Sequence, residues 1–253
     1  MSASVAFAAR EIHLPIGAPT RKWTPDSSVR REALRGCSLF SSLTPADLDA
    51  VLARAVLRRF TRGDLIMRRG DPAPGMSVIL QGCVRIGVTS TEGQEILLAV
   101  LGPGDVVGEM ALLDGGERST DVIAVEDGVM LLIQRSEFLS LMERNARLCL
   151  GLMHVLCVRL RSANRSVEEL ATLRLSTRLG RLLLRLAESY GKLTDRGLRI
   201  DLRLSQKDLA NLAGASRGKI NHCLRLWEQH GVLLRERGHL LIRLPDILAA
   251  GEL

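Results

Sequence analysis

The sequence predicts an α+β chain built from three successive parts, and three observations carry that expectation. Between Val56 and Ile133 short apolar stretches alternate with turn residues, the pattern of an all-β roll or barrel. From about Ser136 apolar residues recur at helical spacing past Val167. After residue 173 two capped helix starts precede a hairpin pattern, the order of a helix-turn-helix with a β appendage.

Residues 1–30 hold Pro15, Pro19 and Pro25 and show little periodicity, so they read as an N-terminal arm with Trp23 as a local anchor. Thr44-Pro45-Ala46-Asp47-Leu48 is a helix start, because Thr44 can cap free amides and Pro45 suits the first helical position. Strands are expected at Leu65 to Met67, Met76 to Leu80, Val84 to Val88, Ile96 to Leu101, Val122 to Val125 and Val129 to Ile133. Gly63-Asp64, Gly70-Asp71, Glu92-Gly93 and Gly102-Pro103-Gly104-Asp105 supply turns between them.

In the helical stretch Cys149, Leu156, Ala163 and Leu170 recur every seventh residue, interleaved with Met153, Leu160 and Val167, and Leu152 is counted on the same face. Alternating four and three spacing over about three heptads is a coiled-coil seam, which predicts a parallel homodimer. Leu175 to Tyr190 reads as another amphipathic helix, ended by Gly191. Ser205 and Ser216 then cap helices expected at about residues 206–213 and 217–230, and Gly231 to Arg243 reads as a hairpin with polar residues at its tip. The expected parts are an arm over 1–30, a roll over 31–145, a dimerisation helix over 146–173 and a winged helix-turn-helix over 174–253.

A chain of 253 residues that is 46% hydrophobic can bury sizeable cores. No run approaches the roughly 18 consecutive apolar residues of a membrane span, and Met1 to Ala9 lacks the charged start of a signal peptide, so a cytoplasmic protein is expected. Cys37, Cys83, Cys149, Cys157 and Cys223 are scattered and read as reduced, mostly buried residues. None of the histidines (His13, His154, His222, His230, His239) lies between residues 14 and 153. No metal or haem centre is expected. Neither paired carboxylates nor a nucleophile with its base share a motif, so the chain does not read as an enzyme. Residues 174–253 carry 15 Lys and Arg against 8 Asp and Glu, which accounts for the whole formal charge of +7. A neutral first part joined to a basic last part suits a sensor attached to a nucleic-acid binder.

Chemistry concentrates between Gly108 and Thr120, which read Gly-Glu-Met-Ala-Leu-Leu-Asp-Gly-Gly-Glu-Arg-Ser-Thr. Arg118 offers a rigid fork of donors for a phosphate diester, and Ser119 and Thr120 add hydroxyls. An ionised Glu109 accepts hydrogen bonds and repels phosphate, so its expected partner is a ribose hydroxyl. Met110 and Ala111 would open a short helical turn whose amides face the anion, and Gly108, Gly115 and Gly116 let the main chain approach and turn. The plainer alternative is a surface ion pair between Glu109 and Arg118.

The segment Gly108 to Leu113, followed by Arg118-Ser119-Thr120, resembles the phosphate-binding cassette of cyclic-nucleotide-binding domains. With the roll, the seam and the winged reader in that order, the resemblance extends over about residues 35–245 to the Crp/Fnr family of bacterial transcription regulators. It implies a homodimer that binds a palindromic double-stranded DNA operator under control of a cyclic nucleotide, and that contacts RNA polymerase if it activates. By the same likeness Arg159 points to the nucleotide pocket, and Ala163 and Asn164 fall where the base is held. Ala163 has no hydroxyl for the adenine amino group, whereas Asn164 can serve adenine or guanine. The favoured effector is cAMP, with cGMP as the alternative. Two other readings remain, a regulator of this fold without a nucleotide and a nucleotide-binding subunit that acts on proteins.

In the reader, Arg217, Lys219, Asn221 and His222 are the expected exposed residues of the second helix, with Ile220 and Leu224 turned to the core. Arg217 suits guanine edges, Asn221 or His222 another base or a phosphate, and Lys219 and Arg237 phosphates. Ser205, Gln206 and Ser216 complete the expected DNA contacts. Gly218 and His222 stand where well-known members carry Glu and Arg, so their operator half-site does not carry over.

Overall fold

The computed structural model describes residues 27–90, 93, 95–236 and 238–251, and it forms two compact units that meet inside one helix, between Ala163 and Asn164. Most of the expected arm, Trp23 and Arg237 lie outside the described residues; from Ser27 the chain is helical.

The first unit holds β1 (Ala55–Phe60), β2 (Leu65–Met67), β3 (Gly75–Gln81), β4 (Val84–Thr89), β5 (Glu95–Leu101), β6 (Val106–Val107), β7 (Asp121–Ala124) and β8 (Gly128–Gln134). They pair antiparallel in two four-stranded sheets, ordered β1-β8-β3-β6 and β2-β7-β4-β5. β1 runs against β8 with Ala55 opposite Ile133 and Phe60 opposite Gly128.

β3 and β8 are apolar on both faces, and the two faces serve different cores. Ile79 and Met130 pack inside the roll with Phe60, Met67 and Val122. Met76, Val78, Leu80, Val129, Leu131 and Ile133 face a helical layer. That layer is α1 (Ser27–Gly36), α2 (Pro45–Leu52), α4 (Arg135–Arg144) and the start of α5 (Ala146–Thr172); α3 (Glu109–Asp114) lies between β6 and β7. Thr44 caps α2 as expected, accepting from the Asp47 amide at 3.2 Å while Asp47 Oδ2 accepts from the Thr44 amide at 3.2 Å.

The helical pattern from Ser136 is divided at Asn145, which lies in extended conformation (φ −140°, ψ 92°) between α4 and α5, so α5 begins at Ala146. Its Oδ1 accepts from the amides of Arg147 and Leu148 at 3.1 and 3.2 Å, so the break is also the cap of α5. The apolar stripe likewise divides in two. Leu148, Leu152 and Val155 are buried in the roll's own helical layer, which removes Leu152 from any seam, and Cys149 is half-buried with its Sγ donating to the Met142 carbonyl at 3.5 Å. Leu150, Met153, Leu160 and Val167 are each more than half exposed on another face. Of the cysteines, only Cys37 and Cys83 are buried, and burial pushes the Cys83 thiol above its ordinary range.

The second unit continues from α5 with α6 (Leu175–Tyr190), β9 (Gly191–Thr194), β10 (Gly197–Ile200), α7 (Gln206–Ala213), α8 (Arg217–Gln229), β11 (Leu233–Glu236), β12 (His239–Ile242) and α9 (Pro245–Ala250). Its sheet is ordered β11-β12-β10-β9. Leu183, Leu209, Ile220, Leu224, Trp227 and Leu241 are buried, so both core-facing residues expected on α8 are inside. Among the described residues no helix is long and apolar enough to cross a membrane.

Candidate functional site

In the roll, the chain turns from β6 into α3 at Gly108, whose φ of 82° is left-handed. A Cβ there would lie 2.1 Å from Arg118 Nη1, so the glycine is what lets the guanidinium lie against the main chain. Arg118 is 7% exposed, with Nη1 donating to the Gly108 carbonyl at 3.0 Å and Nη2 to the Gly75 carbonyl at 2.6 Å. Among the described residues no carboxylate pairs with it directly. Burial holds its pKa below the ordinary arginine value, against the opposing effect of the nearby Glu109 charge. The result is an almost dry cation fixed by two neutral acceptors.

Glu109 opens α3 and is 1% exposed. Its Oε1 accepts from Arg159 Nη1 on α5, and Arg159 Nη2 reaches the Val106 carbonyl. The ion pair at this site is therefore Glu109 with Arg159, and the alternative of a surface Glu109–Arg118 pair is overturned. The other oxygen, Oε2, is buried and has no hydrogen-bond partner among the described residues. A buried acceptor left this way is costly unless something donates to it. Ala111 is buried, Met110 is about half exposed, and Ser119 Oγ contacts Met110 Sδ at 3.9 Å. Thr120 is partly exposed, and Ala163 and Asn164 are exposed on α5, one turn beyond Arg159.

The reader's helices begin where the caps were expected. Ser205 Oγ accepts from the Asp208 amide at 3.1 Å, and Ser216 Oγ from the Lys219 amide at 3.5 Å. Arg217, Gly218, Lys219 and His222 are exposed near the start of α8, and Arg217 Nε donates to Gln206 Oε1 at 3.4 Å. Asn221 departs from expectation, since it is only partly exposed and its Oδ1 is buried without a partner among the described residues. α8 is tied to the wing by Glu228, which accepts from Arg235 Nε at 2.7 Å and also from its Nη2, and which holds the Arg235 pKa above the ordinary value.

Several contributors carried no sequence signal. Met67 packs beside Arg118, with its Sδ 3.2 Å from where a Gly108 Cβ would stand. The carbonyls of Gly75 and Gly108 are backbone atoms, which no residue pattern marks. Glu169 and Arg185 form an ion pair between α5 and α6, and Arg178 on α6 bridges backbone carbonyls; their partners are distant in sequence, beyond local pattern reading.

Comparison with known proteins places each part of the chain in a family. Residues 57–145 match the family description "Cyclic nucleotide-binding domain", and residues 177–250 match "Crp-like helix-turn-helix domain". The chain is 33% identical to the cyclic AMP receptor protein of Thermus thermophilus over 215 residues, covering 85% of this chain and 96% of that one. It is 28% identical to the CRP-like cAMP-activated global transcriptional regulator of Mycobacterium tuberculosis over 218 residues, covering 86% of this chain and 97% of that one. The solved structure of the c-di-GMP-responsive global regulator CLP of Xanthomonas campestris superposes with a TM-score of 0.70 at 24% identity, over 79% of this chain and 99% of that one, which is a likeness of fold. With this architecture, a cyclic-nucleotide-binding domain and a Crp-like reader, the chain belongs to the Crp/Fnr family of DNA-binding transcription regulators.

Proposed function

We propose that the protein is a homodimer whose affinity for double-stranded DNA is set by a cyclic mononucleotide in the roll, cAMP in first place and cGMP in second. The observation that carries this reading is one buried pair of unmet needs: among the described residues the Arg118 guanidinium has no carboxylate and Glu109 Oε2 has no donor. A cyclic phosphate answers the first and a ribose hydroxyl the second. Ser119 and Thr120, with the amides around Gly108, Met110 and Ala111, complete the phosphate side. Arg159 holds Glu109 in place, and Asn164, beside the small Ala163, is assigned to the base.

The roll over 31–145 is then the sensor, 146–173 the dimer helix and 174–253 the reader. Leu150, Met153, Leu160 and Val167 leave an exposed face on α5, the last three at heptad spacing, which suits a second copy. On DNA, Arg217 is assigned to a guanine edge; Lys219, His222, Gln206, Ser205, Ser216 and Arg237 support it, and Asn221 does so from its half-buried place. Two such readers would meet successive major grooves of a palindrome about 34 Å apart, in the cytoplasm, with RNA polymerase as a partner where the protein activates.

Calorimetric titration with cAMP, cGMP and c-di-GMP tests the effector. One mononucleotide should bind once per chain, and Arg118→Ala should weaken it by roughly 100-fold, since two charge-assisted hydrogen bonds are lost. No heat from either mononucleotide, with the roll folded, would remove the reading.

A further inference from the structure

Beyond Arg159, every side chain of α5 is exposed except one, and the exception is charged. Glu169 is 6% exposed, and its two oxygens accept from Arg185 Nη1 and Nη2 on α6 at 2.8 and 3.0 Å. Arg178, in the first turn of α6, extends the same junction. Its Nη1 donates to the Leu173 carbonyl at 3.0 Å, and its Nη2 to the Ala213 carbonyl at the end of α7 at 3.1 Å. Leu170 closes on the turn between α7 and α8, where a Cβ on Gly214 would lie 2.7 Å from its Cδ2. The last turns of α5 therefore reach α6 through Glu169 and the turn that launches α8 through Leu170, while Arg178 ties the start of α6 to Leu173, just after α5, and to the end of α7.

We propose that the Glu169–Arg185 pair is a latch that joins the last turns of α5 and the helix-turn-helix into one rigid body. Through this latch a change in α5 reaches the reader; this second clause rests on the function proposed above. A forked guanidinium on a carboxylate has one good geometry, unlike apolar helix packing, which tolerates sliding. Removing Arg185 strands the buried Glu169 carboxylate, and removing Glu169 leaves the guanidinium without its fork partner, so the junction is either made or broken. The division of the chain between Ala163 and Asn164 fits this arrangement, because it places the end of α5 in the reader's unit.

The test uses the full chain with Glu169→Gln, Arg185→Gln and the exchanged pair Glu169→Arg with Arg185→Glu. Without any nucleotide, hydrogen exchange over residues 170–178 should rise about tenfold in each single variant, with peptides of the roll and of α8 unchanged, and should recover in the exchanged pair. On a DNA duplex selected with the wild type, the ratio of affinities with and without cyclic nucleotide should fall roughly fivefold in the single variants and recover likewise. Unchanged exchange in both single variants overturns the latch. So does faster exchange spread across the whole of residues 175–250, which marks a merely structural pair, or an exchanged pair that behaves as the single variants do. If wild-type DNA affinity ignores both mononucleotides, the effector reading fails by itself, and the exchange experiment still decides the latch.

Discussion

Arg118 and Gly108 act as one unit. The guanidinium is buried because its donors meet the carbonyls of Gly75 and Gly108, and it can come that near only because residue 108 has no side chain. Gly108→Ala should therefore do two things at once: impose a left-handed φ on an alanine, at about 1–2 kcal/mol, and push Arg118 off its acceptors. Thermal unfolding should fall by several degrees, and nucleotide affinity, read by titration, should fall with it; unaltered affinity would separate Arg118 from the phosphate. The residue types of this cassette were legible in the sequence, because carboxylate, guanidinium and hydroxyls fall within thirteen positions. Family likeness pointed Arg159 to the pocket, but its pairing with Glu109, fifty positions away, was not legible. The acceptors of Arg118 are main-chain atoms and were not legible at all.

At the scale of elements, local chemistry was read most directly. Thr44, Ser205 and Ser216 each cap the helix that the sequence places after them, because a cap needs only residues three apart. Ser205→Ala should remove the bond to the Asp208 amide and cost about 1 kcal/mol, lowering the thermal midpoint by roughly 2–4 °C in a chain of this size. Scanning calorimetry of the variant checks it, and DNA affinity should drop in parallel if α7 sets the angle of α8. α5 shows where pattern reading stops. A heptad count marks one apolar stripe along the helix, yet it does not say which side the roll covers. Leu148, Leu152 and Val155 are taken by the chain's own core, and Leu150, Met153, Leu160 and Val167 are not. Asn145 was equally ambiguous, since asparagine is tolerated within a helix but here bonds its own downstream amides.

At the scale of the whole molecule, the two units differ in charge and in what stabilises them. The reader bears the excess of cations, and Asp201 lies among them, with Lys192 Nζ at 2.6 Å, Arg199 Nη2 at 3.1 Å and His239 Nδ1 at 3.9 Å. Partial burial pushes its carboxyl up, but the Lys192 hydrogen bond and the surrounding charges outweigh that and hold it below the usual 3.8. A carboxyl lowered by folding adds stability that is complete well above its unfolded value and is lost as pH falls through the folded one. Urea unfolding of the reader should therefore be flat near neutrality and weaken below about pH 4, with a smaller acid loss in Asp201→Asn. An identical acid profile in that variant would assign the effect elsewhere.

The closure of the roll also sets an order in time. β1 is an edge strand whose partner is β8, and the core behind them needs residues from Ala33 to Val155. During synthesis β1 leaves the ribosome well before β8 and waits as an unpaired edge, open to wrong neighbours. In the reader β9 pairs with β10 and β11 with β12 across short turns, and the free edge of β10 waits for β12. The roll thus leaves its edge open over a longer stretch of chain than the reader does, and the segment that completes its core is the start of α5.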